Sequence, residues 1–227
     1  MGKRSKKYRE ARDKIASLGK VGVEQAVKVL KGFNNAKFDE TVELSIKLGI
    51  DPRKSDQIVR GSFSLPHGIG KERKVIVFAE GDMADEAKEA GAAEVGSAEL
   101  AEKIQKGWTD FDVAIATPDM MRHVGKLGKV LGPAGKMPSP KSGTVTTRIK
   151  ETVSEFKAGK VEFRNDKGGN LHVPVGKKSF EENVLAENIE AMLDHIKSSR
   201  PQAAKGAFMQ RAYISTTMSP SVELDIK

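Results

Sequence analysis

Over residues 41–48 the chain reads Thr-Val-Glu-Leu-Ser-Ile-Lys-Leu, with Val42, Leu44, Ile46 and Leu48 at every second position. Thr41, Glu43, Ser45 and Lys47 fall between them. Side chains of a strand alternate between its two faces, so this pattern predicts a half-buried strand with one wet side. A second strand is expected through Val59, Gly61, Phe63 and Leu65, broken by Pro66, Gly68 and Gly70. Ahead of these, residues 3–17 read as a highly charged helix or mobile arm, and Val23–Phe33 as a short amphipathic helix.

The texture changes at Lys74. "KVIVFA" and "DVAIAT" are short, continuously apolar runs, separated by helical stretches over Met83–Ala90 and Ala98–Lys106. Apolar strands alternating with helices predict a small parallel sheet covered on both faces. "TPDMM" is expected to open a helix with Thr117 as its N-cap and Pro118 at its first position. A Gly/Pro/Lys-rich stretch, Gly125–Val145, follows, and Arg148–Phe156 reads as another helix.

The two-residue alternation then returns. Val161 and Phe163 lead to Asn165-Asp166-Lys167-Gly168-Gly169, a hairpin turn signal, and Leu171, Val173 and Val175 follow it. Glu181–Lys197 predicts a helix with Val184, Leu185, Ile189, Met192, Leu193 and Ile196 on its apolar side. Two strands, "AFMQRAYISTTM" and "SVELDI", finish the chain. The order of textures predicts a discontinuous α+β domain built from both termini, residues 1–67 and 160–227, with an α/β domain inserted over 68–159. Gly68, Gly70 and Gly159 mark the two crossings and are candidate hinge residues.

Charge sharpens this picture. The 227 residues hold 39 Lys and Arg against 31 Asp and Glu, a net of +8. The excess is focused: residues 1–20 carry a net of +6, and residues 122–150 carry seven basic residues and no acid. Focused basic charge points to an anionic partner. There is no cysteine, which excludes disulfides, thiolate metal sites and cysteine nucleophiles and fits a reducing cytoplasm. No apolar run reaches signal-peptide or membrane-spanning length, so no membrane partner is expected.

Catalytic motifs are missing. None of the Gly-Lys pairs completes a Walker A loop, and "KVIVFAEGDMADEA" offers one glycine where a dinucleotide fingerprint needs three. No HExxH or GxSxG occurs, and the four histidines are scattered. The chain therefore reads as a non-enzyme that needs neither cofactor nor metal. In the Gly/Pro/Lys stretch, Lys126, Lys129, Lys136 and Lys141 can reach phosphates while the glycines admit close backbone approach, so an auxiliary nucleic-acid surface competes with a merely solvated turn. A third candidate joins "NNAKFDETVE" to "TTMSP". If the first and penultimate strands are neighbours, Lys37, Phe38, Thr217 and Met218 share one patch, where an exposed ring could stack on a base; core packing of Phe38 is the competing reading.

These segments carry a resemblance. "KFDETVELSIKLGIDPRKSDQIVRGSFSLPHGIGK", "ATPDMM", "GKVLGPAGKMPSPKSGTV", "KAGKVEFRNDKGGNLHVPVGK" and "AYISTTMSPSV" are similar, in order and over nearly the whole chain, to the bacterial ribosomal protein L-one family. The resemblance implies a terminal-built domain with an inserted Rossmann-like, three-layer α/β domain. It implies binding to large-subunit rRNA in the mobile stalk beside the tRNA exit site, contact with exit-site tRNA, and repression of its own operon mRNA, by a protein that is monomeric when free. It also implies an RNA surface of Lys37, Phe38, Glu40, Thr217 and Met218, joined by Ser219, with Arg164 and Lys167 near the "FRNDK" turn. Ser219 stands where the family usually has Gly, while Ala134, Lys136 and Ser139 depart from its usual "GPRGLMPNPK".

Overall fold

The computed structural model describes residues 5–33 and 36–226. Lys3 and Arg4 of the predicted basic arm, and the Asn34-Asn35 start of the "NNAKF" segment, lie outside the described residues. The protein is a mixed α/β structure with several sheets. It divides into two compact units, Met1–Gly70 with Val161–Lys227, and Lys71–Lys160.

The first unit begins with α1 (Lys6–Ala16), whose first turn is closed by the Ser5 hydroxyl accepting from the Tyr8 N–H at 3.2 Å. Helix α2 (Val23–Lys31) buries Ala26, Val27 and Leu30 on one face. Strand β1 (Thr41–Leu48) alternates as predicted, with Val42, Leu44, Ile46 and Leu48 buried. Strand β2 (Arg60–Ser64) is shorter than the run that predicted it. Gly68 and Gly70 follow at positive φ, and both are held inside this unit. The buried amide of Asn188 donates to the Gly68 carbonyl at 3.0 Å, and a Cβ on Gly70 would meet the Phe180 ring at 2.7 Å.

In the second unit, β3 (Val75–Phe78), α3 (Asp82–Glu89), β4 (Glu94–Gly96), α4 (Ala98–Gln105) and β5 (Val113–Ala116) build a parallel sheet in the order β4-β3-β5. Every residue of β3 and β5 is buried because each sheet face has its own cover. Ile76 and Phe78 pack among residues of α4 and the segment after β5, whereas Val75 and Val77 pack with Ala87 of α3 and Ile149, Val153 and Phe156 beyond.

After β5 the prediction of a helix capped by Thr117 is corrected. Thr117 to Met120 form a turn whose bonds run from Met120 N–H to the Thr117 carbonyl and from Met121 N–H to the Pro118 carbonyl. Helix α5 (Met121–Val124) starts only there. A single 3₁₀ turn joins it to α6 (Gly128–Leu131), so the first third of the supposed loop is helical. Val124, Leu127 and Leu131, at steps of three and four, are its buried side. Helix α7 (Ile149–Ala158) ends at Gly159, which takes φ +114° as its left-handed cap.

The chain returns with β6 (Lys160–Arg164), β7 (Asn170–Lys177), α8 (Glu182–Ser198), β8 (Met209–Thr216) and β9 (Val222–Leu224). Here the hairpin expectation is also corrected. The chain turns at Asp166–Gly169, but β6 pairs with β2 while β7 joins a separate sheet ordered β7-β1-β8-β9. Asn165 is the cause: its N–H donates to the Val59 carbonyl at 3.0 Å and its side-chain oxygen accepts from the Val59 N–H at 2.9 Å. β6 is thereby committed to β2. All described ladders of the four-stranded sheet are antiparallel.

Helices α2 and α8 pack against one another, and both meet strands of this sheet. Leu185, Ile189, Met192 and Ile196 fill the core at helical spacing, whereas Val184 and Leu193 are only half-buried at the margin. Asn188, which hydrophobicity alone does not place, is fully buried among them and spends its amide on Gly68, Val175 and His67. Two turns beyond Asn188 on α8, the His195 ring stacks on Phe63 with centroids 4.4 Å apart and meets Phe163 edge-on. Burial holds the His195 pKa below the ordinary value of 6.5. The unfolded chain therefore takes up a proton there before the folded one does. Stability is expected to fall as pH drops below about 6.5, and Tm measured in steps from about pH 7.5 to about pH 5.5 should decline less steeply in His195→Gln. Equal slopes would remove His195 from that dependence. Among the described residues no helix is long and apolar enough to cross a membrane.

Candidate nucleic-acid interface

The strand order meets the condition on which the patch depended, because β1 and β8 are neighbours. Val42 faces Thr216 in their register, which brings the segment before β1 and the segment after β8 to one end of the sheet. The Thr41 N–H donates to the Thr217 hydroxyl at 3.3 Å across this junction. Phe38 is 56% exposed and Met218 51% exposed, the two most exposed of the large hydrophobic side chains described. Core packing of Phe38 is thus excluded. Lys37 and Thr217 are exposed beside them in sequence.

Glu40 behaves differently. It is 1% exposed, so it offers no surface for RNA to touch. One carboxylate oxygen accepts from the Thr216 hydroxyl at 2.8 Å and from the Met218 N–H at 2.9 Å. The other faces the Lys178 ammonium at 3.4 Å. Lys178 also donates to the Phe33 carbonyl through its ammonium and to the Glu40 carbonyl through its N–H. Asp39, exposed, takes the Ser179 N–H and hydroxyl on its two oxygens. Glu40 therefore positions the cluster from beneath, and Lys178 is a member of it that the sequence reading missed.

Ser219 closes its own turn. Its hydroxyl accepts from the Thr216 N–H at 2.9 Å and donates to the Pro220 carbonyl at 3.1 Å, while its N–H reaches the Thr216 carbonyl. No described residue other than glycine has positive φ, so this position does not require glycine in this chain. The single hydroxyl proton is already committed, and Ser219 shapes the turn that presents Thr217 and Met218.

Arg164 and Lys167 are exposed; Arg164 ends β6 in the two-stranded sheet, and Lys167 lies in the turn that leads into β7 at the far end of the four-stranded sheet. Between them Asp166 organises the turn, accepting from the N–H groups of Gly168 and Asn170 at 2.8 and 2.7 Å. The bonds from Asn170, backbone first and then side chain, hold the Asp166 carboxyl below its usual range.

In the second unit, Arg122, Lys126 and Lys129 are exposed at steps of four and three on the helical run opposite Val124, Leu127 and Leu131. Lys141 is exposed on the following 3₁₀ turn. Lys136 is spent internally: its ammonium donates to the Thr109 carbonyl at 3.0 Å and to that of Phe111, and lies 4.9 Å from the Phe111 ring centre. It is a structural lysine, and the exposed basic stripe runs through Arg122, Lys126 and Lys129. Ser139 contributes its N–H to a knot of hydroxyls with Ser142 and Thr144. No structural consequence attaches to Ala134, which is exposed. Among the described residues no group of three or more His, Asp or Glu side chains is arranged to hold a metal.

Comparison with known proteins bears on the same segments. Residues 30–220 match the family model described as the ribosomal protein L1p/L10e family. The chain is 56% identical over 225 residues to the large ribosomal subunit protein uL1 of Kosmotoga olearia, covering 99% of this chain and 97% of that one. It is also 56% identical over 227 residues to the large ribosomal subunit protein uL1 of Fervidobacterium nodosum, covering 100% and 97%.

Proposed function

The chain belongs to the ribosomal protein L1p/L10e family, and from that premise we propose that its first unit anchors it to the stalk of large-subunit rRNA through the cluster at the Phe38 end of the sheet. It is a non-enzymatic structural constituent of the large ribosomal subunit and associates with ribosomal RNA in the cytoplasmic ribosome. The observation that carries the finer reading is an exposed ring and thioether, Phe38 and Met218, held at one sheet end by a buried carboxylate. A polar surface with one aromatic anchor and few free cations suits a folded RNA read by shape, sugar hydroxyls and accessible bases.

The basic stripe of the second unit is the auxiliary site, for phosphates of the same rRNA or of tRNA leaving the exit site. Repression of the protein's own mRNA follows if that message carries a similar fold, in which case one surface serves both RNAs.

The test is a salt series of binding to the rRNA stalk fragment and to an unrelated structured RNA of equal length. Strong preference for the stalk fragment that survives high salt is expected. Lys126→Ala/Lys129→Ala is expected to flatten the slope of log affinity against log salt by about 1.5, as two phosphate contacts require. Equal binding to both RNAs would reduce the protein to a general basic binder, and an unchanged slope would remove the second unit from contact. Adding the operon mRNA as competitor ranks that target against the stalk.

A further inference from the structure

We propose that the groove between α1 and α2 is a docking site for an acidic amphipathic protein segment, one that presents an aliphatic or aromatic side chain between carboxylates. The groove encloses about 380 Å³ and lies wholly within the first unit. Its floor is apolar. Leu18 and Val29 are half-buried against the core, and Phe33 keeps only 7% of its surface exposed. Lys14 from α1 and Lys28 from α2 stand at the rim, both exposed.

Helical spacing builds the two walls. Ser17 and Leu18 follow Lys14 by three and four residues, and Gly32 and Phe33 follow Val29 by the same steps, so each set shares one side of its helix and of the turn that ends it. Helix α2 spends Ala26, Val27 and Leu30 on α8 and the sheet, which leaves Lys28, Val29 and Gly32 on its outer side.

Charge defines the occupant. Over Lys6–Ala16 five basic residues stand against Glu10 and Asp13, and none of the described residues that line the groove is acidic. Lys31 is spent on the Phe180 carbonyl, whereas the Lys14 and Lys28 ammonium groups meet no partner among the described residues. An anion that also needs an apolar seat answers both features. RNA answers only the first. Bases stack on exposed rings, and Phe33, the one ring lining the groove, is nearly buried. The Ser17 hydroxyl gives its proton to the Lys14 carbonyl at 2.8 Å. An aliphatic floor between two lysines is the counterpart of an amphipathic segment laid apolar side down. Apolar burial then supplies the affinity, and the lysines supply orientation and association rate.

The probe is a fluorescein-labelled peptide of about twelve residues, Leu at helical spacing and Glu elsewhere, titrated into the full chain by fluorescence anisotropy. A scrambled peptide of the same composition is the control, and the patterned one is expected to bind about tenfold more tightly or better. Gly32→Trp plugs the groove from its wall. Gly32 has φ −68°, where a side chain carries no backbone strain, and the nearest heavy atom to its Cβ would be 3.4 Å away. This variant is expected to lose about tenfold in peptide affinity, to keep its Tm within about 2 °C and to bind the rRNA stalk fragment as before. Lys14→Glu/Lys28→Glu is expected to lose as much at low salt and less at high salt, because exposed pairs are screened. Equal binding of the two peptides, or full binding by Gly32→Trp, would overturn the inference. Displacement of the peptide by the stalk fragment, with Gly32→Trp weakening both, would give the groove to RNA and overturn it as well. Should Gly32→Trp lower the Tm, Lys14→Glu/Lys28→Glu decides instead: a loss greater for the patterned than for the scrambled peptide supports the site, and an equal loss or none overturns it.

Discussion

Glu40→Ala is expected to lower both the thermal stability of the protein and its affinity for RNA, although Glu40 is buried beneath the exposed patch. The carboxylate is buried, and removing it strands the Met218 N–H and the Thr216 hydroxyl and leaves the Lys178 ammonium with the Phe33 carbonyl. Taking one partner from a buried ion pair costs about 3–5 kcal/mol. Lys178 keeps 19% of its side chain exposed, which reduces the figure here to about 2–4 kcal/mol. For a chain of this size that is a fall in Tm of roughly 5–15 °C. RNA affinity should fall about tenfold at temperatures where the variant is still folded, because the Thr216–Ser219 turn loses the group that fixes it against β1. Lys178→Met should weaken binding in the same direction without changing its salt slope, and Lys178→Arg should recover most of it. A lysine that itself bonds a phosphate would lower the slope by about 0.7–0.9 when removed. Thermal melts with and without RNA, plus the salt series, separate these outcomes. Unchanged Tm and affinity in Glu40→Ala would mean that the carboxylate pins nothing.

The parity of the first strand already contained the clue to Glu40. Val42, Leu44, Ile46 and Leu48 face inward, and one step back along the same alternation lands on position 40. A charged residue there reads as the strand's wet margin until a partner is found, and its partners come from residues 178, 216 and 218, far away in sequence. Alternation and helical spacing are local, so they were legible for β1, the two apolar parallel strands and α8. The pairing of β6 with β2 was not, because a turn signal says that the chain reverses but not which neighbour each arm bonds. Asn165 decides that through Val59, 106 residues away.

The Gly/Pro/Lys stretch misled in the other direction. Gly125, Gly128, Gly132 and Pro133 mark a loop by composition, yet Val124, Leu127 and Leu131 keep the spacing of a buried helical side. Helix propensity is a weak prior, and packing beneath the parallel sheet overrides it. Lys136 had no local signal at all. It reads as one of four equivalent lysines, and only the fold brings the carbonyls of Thr109 and Phe111 under its ammonium. Charge counting therefore overstated the free basic surface by one residue, while spacing, taken alone, would have found the stripe that Arg122 shares with Lys126 and Lys129.

Phe38→Ala should do the reverse of Glu40→Ala, costing affinity and almost no stability. More than half of the ring is exposed, so its truncation exposes little core, and the change in Tm should stay within about 2 °C. A ring that stacks on a base contributes about 1–3 kcal/mol, which predicts a loss of roughly 5- to 150-fold in affinity for the stalk fragment. The ring is uncharged, so the salt slope should not move, whereas Lys37→Ala should flatten it by about 0.7–0.9 if that lysine meets a phosphate. Met218→Ala should lose less, and the double variant should lose less than the sum of the two, because Glu40 ties the Met218 backbone to the strand that follows Phe38. Strict additivity would separate the two side chains into independent contacts. A Phe38→Ala protein with full affinity would show that the exposed ring serves something other than RNA, and the anchoring surface would then have to be sought among the cations at the Lys167 end.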